Sequence, residues 1–210
     1  MSNVVELYNA QKEKLVEAFN MADYFPRFQD YLGGDKNKVD RFKHSLIQCY
    51  MNPFLIDCPP KSIIKAALDV AELDLSLTRS LGQAYIIAYR EKGKPVPQAQ
   101  IGYKGWLTLA ERAGKHIKAT PVFKCDDFNV GTDGFNTQFR LIPNFDEHRD
   151  GVPEWVDKNL RGVLIGIKNG EVMVKFVTMG KIQQLKRHST SANSAKGKKY
   201  SPYQNWNLEM

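Results

Sequence analysis

The clearest hydrophobic pattern in this sequence lies in residues 81–114. Aliphatic residues occupy every second position from Ala84 to Ala88, which is the period of a strand with one buried face. A Lys-Gly-Lys turn at 92–94 leads into a second strand, and apolar residues from Trp106 onward then recur at helical spacing. The pattern therefore predicts a strand, a basic turn, a second strand and a helix in succession.

Three amphipathic helices are predicted before this block. They span Val4–Met21, Val39–Tyr50 and Ile63–Leu73. Asn52-Pro53 breaks the second of them. We expect an N-terminal helical region at residues 1–58, with a role in subunit contacts, then an α+β core at 59–188 and a basic C-terminal segment at 189–210.

Residues 115–129 have the composition of an extended segment, in which Pro121 favours an edge or a bulge because it cannot donate to a ladder. A turn at 132–134 precedes a predicted strand at Phe135–Ile142. The polar stretch Asn144–Lys158 is expected to be a loop.

A second hairpin is predicted at Gly162–Val177, where Asn169-Gly170 is the pair that a type I′ turn favours. A helix follows at Gly180–His188, with Ile182 and Leu185 expected to face inward. Together the elements predict an α+β fold, in which a mostly antiparallel sheet carries helices packed on it, between an N-terminal helical region and a basic C-terminal segment.

The positive charge of the chain is concentrated near its C-terminus. The sequence has 30 basic and 23 acidic residues, and seven of the basic ones but none of the acidic ones lie between Val172 and Leu208. One basic segment on a neutral body favours a polyanionic partner. The alternative is a solvated tail, because residues 189–199 have the composition of a loop.

Two features bear on the compartment. The sequence has no run of 18 apolar residues, so we predict no spanning helix and no membrane partner. The three cysteines, Cys49, Cys58 and Cys125, are an odd number and lie far apart, which favours reduced thiols and a cytoplasmic protein.

Catalytic chemistry has little support. No Gly-Lys pair is followed by Ser or Thr, so the phosphate loop of an ATPase is missing and no cofactor is expected. A nuclease needs clustered carboxylates to hold metal, whereas Asp126-Asp127 and Asp146-Glu147 are adjacent pairs that would point to opposite faces of a strand. The histidines and cysteines also lack metal-ligand spacing. We therefore expect no catalytic residue and no metal, with a nuclease as the less favoured alternative.

Lys, Tyr and Gly converge at the turn Gly102–Gly105, between the second strand and the helix. Lys104 could pair with phosphate and Tyr103 could stack on a base, while the flanking glycines would let a nucleic-acid backbone come close. The structural alternative is that Tyr103 packs under the sheet and Lys104 caps the turn. Arg112 lies about two turns along the same helix, with an exposed ion pair as its alternative role, and Trp106 is expected in the core.

Four motifs occur in a fixed order: LGQAY at 81–85, GYKG at 102–105, LAERAG at 109–114, and Ser201-Pro202 before an aromatic residue. In order and spacing they resemble the RecT family of phage single-strand annealing proteins, from about Pro59 to the C-terminus. The resemblance implies a β-β-β-α core, ATP-independent annealing of complementary strands in homologous recombination, and a homo-oligomer in the form of a ring or helical filament. The implied partners are single-stranded and annealed duplex DNA, with a phage exonuclease and a single-strand binding protein as further candidates.

From the basic residues and this resemblance, we predict DNA-binding residues in two places, at the turn with its helix and in the basic C-terminal region. They are Tyr103, Lys104, Arg112, Lys181, Lys186, Arg187, Lys198 and Lys199. The competing interpretation outside enzymes is a structural or interaction module with a basic tail. RecT-like chains usually continue past Glu209-Met210 with a basic helix and a tail, so strand binding by that helix and partner recruitment by that tail are not carried over to this sequence.

Overall fold

A computed structural model describes residues 2–188 and has the predicted α+β class. The helices in this range are α1 (Ser2–Phe19), α2 (Phe25–Tyr31), α3 (Lys36–Tyr50), α4 (Pro60–Glu72), α5 (Tyr103–Arg112), α6 (Pro153–Asn159) and α7 (Met179–His188). The strands are β1 (Ala84–Glu91), β2 (Lys94–Ile101), β3 (His116–Phe123), β4 (Asp127–Thr132), β5 (Thr137–Ile142), β6 (Leu160–Asn169) and β7 (Glu171–Thr178). The three predicted N-terminal helices correspond to α1, α3 and α4, with ends that differ by a few residues.

The chain divides into two compact units. Unit 1 is Met1–Arg112 and unit 2 is Ala113–Met210. The boundary predicted at residues 58–59 falls inside unit 1, where α4 packs against α1, α2 and α3. The assignment of subunit contacts to the first segment and DNA annealing to the second stays a prediction.

Helix α4 forms the centre of unit 1. Pro60 lies in its first turn, where the missing N–H has no helical partner to lose. Ile63, Ile64 and Ala67 have no exposed surface, and α1, α2, α3 and the β1–β2 hairpin all pack on this helix. Burial of each isoleucine contributes about 1.5–3 kcal/mol, so α4 anchors the hairpin that precedes the GYKG turn.

The apolar faces of α1 and α3 are used within unit 1. Phe19 of α1 stacks on Phe28 of α2 with ring centroids 4.4 Å apart, and Phe28 contacts Phe42 of α3 at 5.6 Å. Packing within their own unit therefore accounts for these apolar faces. A role for the same helices in subunit contacts stays a prediction.

The alternation predicted for β1 is confirmed. Ala84 and Ile86 are buried in the core of unit 1, and the antiparallel register places Ile101 and Ala99 opposite them. The intervening side chains face outward. They are Tyr85, Ile87 and Tyr89.

The tip of the β1–β2 hairpin is a two-residue turn. Glu91 is paired with Lys94, and the residues between them, Lys92 and Gly93, have φ values of 49° and 81°. Positive φ at both central residues is the geometry of a type I′ turn, whose twist matches that of the flanking strands.

The β6–β7 hairpin is confirmed, but the type I′ turn predicted at its tip is wrong. The register pairs Asn169 with Glu171, so the turn is centred on Gly170 and not on the Asn-Gly pair. Gly170 has a φ of 74°, whereas Asn169 does not enter the left-handed region. The observed register therefore differs by one residue from the predicted one. Each residue of β7 pairs with the residue of β6 next to its predicted partner.

The strands of unit 2 form two antiparallel sheets. β6 lies between β3 and β7, and β4 pairs with β5. Pro121 lies in the edge strand β3, beside a register shift between Val122 and Phe123, as its missing N–H predicts. With β1–β2, the described residues hold three small sheets where the sequence predicted one. Strand periodicity identifies a strand but does not choose its partners.

Part of the stretch predicted as a loop at residues 144–158 is helical. Helix α6 buries Val156 against Phe123 and Leu160, and Trp155 packs on Phe123 with ring centroids 4.9 Å apart. A helix of seven residues has little stability of its own, so these contacts from other elements decide its formation.

The helix predicted at Gly180–His188 is confirmed as α7. Leu185, however, is 51% exposed and does not face inward as predicted.

A buried carboxylate ties together the loops of unit 2. Asp126 accepts hydrogen bonds from the backbone N–H groups of Phe123 (2.7 Å) and Asn144 (3.0 Å), and its Oδ1 lies 2.6 Å from Nε2 of His148. Burial alone would raise the pKa of Asp126, but these hydrogen bonds hold it below its ordinary value. We call this arrangement the Asp126 clasp.

We predict that Asp126→Asn lowers the free energy of unfolding by about 1–3 kcal/mol, because a buried donor loses its partner. A carboxyl with a depressed pKa in the folded state stabilises the fold fully above its unfolded pKa, about 3.9, and loses that contribution as pH falls through the folded pKa. The difference between wild type and variant should therefore shrink in acid. Urea unfolding across a pH series measures this, with the neighbouring Asp127→Asn as the exposed control. Equal stability of both variants at neutral pH would contradict the clasp.

Candidate nucleic-acid interface

The GYKG turn lies directly against the segment that precedes β1. A Cβ on Gly102 would stand 2.3 Å from the carbonyl oxygen of Gly82, and one on Gly105 would stand 2.2 Å from that of Gln83. Real Cβ contacts do not reach these distances, so both positions require glycine. The N–H of Gly102 also donates to the carbonyl oxygen of Gln83 at 2.8 Å.

Gln83 connects this contact to the rest of unit 1. Its Oε1 accepts from the N–H of Ser76 at 2.9 Å, and its Nε2 donates to Oγ1 of Thr108 on α5 at 3.3 Å. The side chain and backbone of one residue therefore fix the turn, the helix that follows it and the segment after α4. This contact explains physically why the LGQAY and GYKG motifs occur together.

The prediction that the two glycines leave room for a nucleic-acid backbone is wrong. They were expected to admit a nucleic-acid backbone, but the space beside Gly102 and Gly105 is filled by the chain's own residues, Gly82 and Gln83. The glycines position the side chains of the turn. Any contact of this turn with DNA would therefore be made by those side chains.

Aromatic and cationic side chains cover the outside of this contact. The ring of Tyr85 lies 2.9 Å from where a Cβ of Gly102 would stand, and its hydroxyl and the Lys104 stem both lie beside Gly82. Lys104 is exposed, and its Nζ lies 5.9 Å from the ring centre of the half-buried Tyr103. The turn therefore presents a flexible cation among aromatic rings. Cations of this kind pair with phosphates, and aromatic rings stack on bases.

Trp106 extends this surface along α5. It was expected in the core, but 59% of it is exposed. Tyr103 and Trp106 are three residues apart on one helix, so their side chains are neighbours on its surface. On the outer face of β1, Tyr85 and Tyr89 are also exposed, and Gln100 opposite Tyr85 donates a hydrogen bond to the hydroxyl of Tyr89. We call Tyr85, Tyr103, Lys104 and Trp106 the turn surface.

Arg112 is held by the end of α4. Its Nη1 and Nη2 donate to the carbonyl oxygens of Leu73 (2.7 Å) and Asp74 (2.8 Å), and Nη2 lies 3.4 Å from the Asp74 carboxylate, which Lys38 also contacts. These contacts match the ion pair named as the alternative role of Arg112. A phosphate contact by Arg112 stays a prediction.

The other predicted DNA-binding residues belong to unit 2 or lie outside the described residues. Lys181 is exposed near the start of α7, and its Nζ donates to Oε1 of Gln184 at 3.1 Å. Arg187 is exposed on the same helix. The side chain of Lys186 and the whole of Lys198 and Lys199 lie outside what the structure describes.

One group of residues within 2–188 has the composition of a metal site. The ligand atoms of Cys125, Asp126 and His148 lie within 4.8 Å of one another. Sequence spacing did not reveal this group, because folding alone brings His148 to the β3–β4 turn. It contains a single carboxylate, and Asp126 already accepts the hydrogen bonds of the clasp. Two-metal nuclease chemistry needs several carboxylates, so this group does not favour a nuclease.

Tyr85 and Trp106 of the turn surface were not among the predicted DNA-binding residues. The alternation of β1 carried a signal for Tyr85, since it placed this residue opposite the buried face. For Trp106, helical spacing with Leu109 and Ala110 indicated the core, and only the orientation of α5 on unit 1 turns the indole outward.

Among the helices of residues 2–188, none combines the length and apolar composition needed to cross a bilayer.

Comparison with known proteins identifies relatives. A model of the RecT family matches residues 40–210. The chain is similar to Protein RecT of Escherichia coli (strain K12), at 27% identity over 148 residues that cover 68% of this chain and 52% of that protein. It is also similar to the uncharacterized protein YqaK of Bacillus subtilis (strain 168), at 34% identity over 99 residues that cover 46% of this chain and 32% of that protein. The chain thus spans about half the length of the first relative and about a third of the second.

We predict that Gly105→Ala destabilises unit 1 by about 1–3 kcal/mol, because the added methyl overlaps the Gln83 carbonyl and Ile101 must move. Gly131→Ala is the matched control, since nothing lies within 4 Å of its Cβ position. Thermal and urea unfolding measure the difference. If Gly105→Ala is as stable as wild type, the glycine is not required by the packing described above.

Proposed function

The chain belongs to the RecT family, and from that premise we propose that it binds single-stranded DNA and anneals complementary strands without a nucleoside triphosphate. The observation that carries the proposal is the turn surface, where a close glycine contact holds the backbone that carries an exposed lysine beside aromatic rings. Family membership supports a role in single-strand annealing and recombination. The relatives are longer than this chain, so the activity is proposed for these residues on the strength of their own chemistry.

The chemistry of the turn surface suits a partner that is not read by sequence. Every base has a π face, so stacking on Trp106 or a tyrosine tolerates any base. Every nucleotide carries a phosphate, so Lys104 can pair with the backbone at any position. Neither contact uses the hydrogen-bonding edges of a base, and these edges must stay free if a second strand is to test its complementarity.

A second set of cations supports the same proposal. Lys181 and Arg187 on α7 are exposed, and with Lys186, Lys198 and Lys199 they belong to the segment that holds the chain's excess positive charge. We propose that this segment adds phosphate contacts and long-range attraction to DNA. The sequence of this segment, Val172 to Leu208, contains no acidic residue.

Annealing over a useful length requires many copies along a strand. A chain of 210 residues covers few nucleotides, so we propose that the active form is a homo-oligomer, either a ring or a helical filament. The further partners proposed from the family are a phage exonuclease and a single-strand binding protein, in a cytoplasmic setting. No catalytic residue, cofactor or metal takes part in the proposed activity.

We expect the purified protein to accelerate the pairing of complementary oligonucleotides in the absence of ATP. Loss of fluorescence as a labelled strand joins a quencher-labelled complement measures the rate, and non-complementary strands serve as the control. Gel analysis of the same DNA tests the nuclease alternative, which would shorten the strands. Pairing no faster than that of protein-free DNA would refute annealing by these residues.

We predict different salt behaviour for two substitutions on the turn surface. Lys104→Ala should weaken single-strand binding and lower the slope of log affinity against log salt by roughly 0.7, because one phosphate contact is lost. Trp106→Ala should weaken binding by about 1–3 kcal/mol with an unchanged slope, because stacking releases no counterion.

Conservative and remote substitutions serve as controls for this pair. Lys104→Arg and Trp106→Phe keep the charge and the ring, and should retain much of the affinity. Lys65→Ala removes another exposed lysine of unit 1. Fluorescence anisotropy across a salt series, with melting curves for each variant, makes the comparison. Unchanged affinity in both alanine variants would move the DNA site elsewhere on the molecule.

A further inference from the structure

Strand β7 has an exposed apolar edge. Its one strand partner among the described residues is β6, so its other edge carries no pairing there. The five residues from Glu171 to Lys175 are all exposed, whereas Phe176 and Val177 are half-buried. Phe176 packs on Phe128 with ring centroids 4.7 Å apart. The free part of β7 is therefore the segment 171–175.

This exposure is unusual for the side chains involved. Val172 and Met173 are 64% and 63% exposed. Soluble proteins generally protect an edge strand with charges, prolines or bulges, because unpaired N–H and C=O groups accept any further strand. The segment 171–175 has a charge at each end and apolar residues between them. Because the charges lie only at the ends, they favour a partner strand with complementary charges and do not prevent all strand pairing.

The segment Glu-Val-Met-Val-Lys is complementary to itself in the antiparallel direction. When Met173 of one copy faces Met173 of another, Glu171 faces Lys175 and Val172 faces Val174. Directly opposed residues of antiparallel strands share a face of the sheet, so both opposite-charge pairs and both valine pairs stabilise this register. If one strand shifts by one residue, Glu171 and Lys175 come to lie on opposite faces of the sheet, and so do Val172 and Val174.

We propose that two copies of this chain associate through their β7 edges, in antiparallel register, about a two-fold axis at Met173. This contact closes at two copies and is separate from the repeating contact that would build a ring or a filament. The product is a continuous six-stranded sheet, in the order β3-β6-β7 of one copy followed by β7-β6-β3 of the other. Five residues from each copy form a small contact, so the association is weak and depends on concentration. The inference rests on strand geometry and charge and does not require that the chain binds DNA.

A cysteine at the symmetry axis tests the register. Opposed Cα atoms in an antiparallel pair lie about 4.5–5.5 Å apart, within the range that a disulfide spans. Under mild oxidation, Met173→Cys should form a covalent dimer in higher yield than Val130→Cys, another exposed residue of a unit 2 strand. Wild type gives the background from the three native cysteines. A yield no higher than that of Val130→Cys overturns the proposal.

Charge reversal tests the partner and separates it from non-specific contact. In the Met173→Cys background, E171K or K175E alone would place like charges opposite each other twice, and should lower the dimer yield roughly three- to tenfold. The double variant E171K with K175E restores opposite charges and should restore the yield. If the double variant is no better than the single ones, the charges do not set the register and the proposal fails.

A mixture of two cysteine variants tests the head-to-tail alternative. Ile117 lies on β3, the other edge of the same sheet, and is exposed. If Met173→Cys crosslinks to Ile117→Cys but not to itself, the copies join head to tail and the two-fold pairing is wrong. Self-crosslinking of Met173→Cys with no product from the mixture supports the two-fold arrangement. These readouts use no DNA, so they can fail or succeed independently of the annealing assay.

Discussion

The packing of the GYKG turn on the Gly82–Gln83 segment is the contact on which the candidate surface of unit 1 depends. Backbone meets backbone there without room for a Cβ on Gly102 or Gly105. Such close approach lets three hydrogen bonds of Gln83, one accepted by its main-chain carbonyl, one accepted by Oε1 and one donated by Nε2, fix three segments at once. A backbone that is already fixed in this way loses little further entropy when its side chains meet a ligand. In the proposed binding the glycines therefore act indirectly, because they fix the backbone of the residues between and beside them.

This contact also relates the two motifs to each other. LGQAY and GYKG are separated by a complete hairpin in the sequence, yet their backbones touch because β1 and β2 return the chain to its starting point. The hairpin is in turn held by α4, whose buried isoleucines lie under its inner face. The order of dependence runs from the apolar core, to the hairpin, to the glycine contact, and finally to Tyr85, Tyr103, Lys104 and Trp106. Disruption at any earlier level would move the side chains of the later ones.

The sequence predicted those features that depend on local pattern. The period of two in β1, the three N-terminal helices and the edge position of Pro121 all follow from spacing or from one residue's covalent chemistry. Predictions failed where distant contacts decide. Helix α6 forms because Val156 and Trp155 meet Phe123, and His148 reaches Asp126 only after folding. Trp106 lies at a helical position typical of the core, and its exposure depends on how α5 is oriented by the glycine contact. The turn at Gly170 differs from the predicted one because strand register, which is a property of the pair, overrides the preference of Asn-Gly.

The exposed aromatic residues and the exposed edge of β7 share one physical logic. Each leaves apolar surface in water, at a cost of about 25 cal/mol per Å², and a fold under selection for stability alone would bury or replace it. At the turn surface, the neighbouring cation is complementary to the proposed ligand, a polyanion with flat apolar faces. On β7, the charges at the ends of Val172–Val174 indicate a strand with the reverse order of charges, which a second copy supplies. In both proposals the charged residue selects the partner, while the apolar residue beside it contributes affinity once the partner is in place.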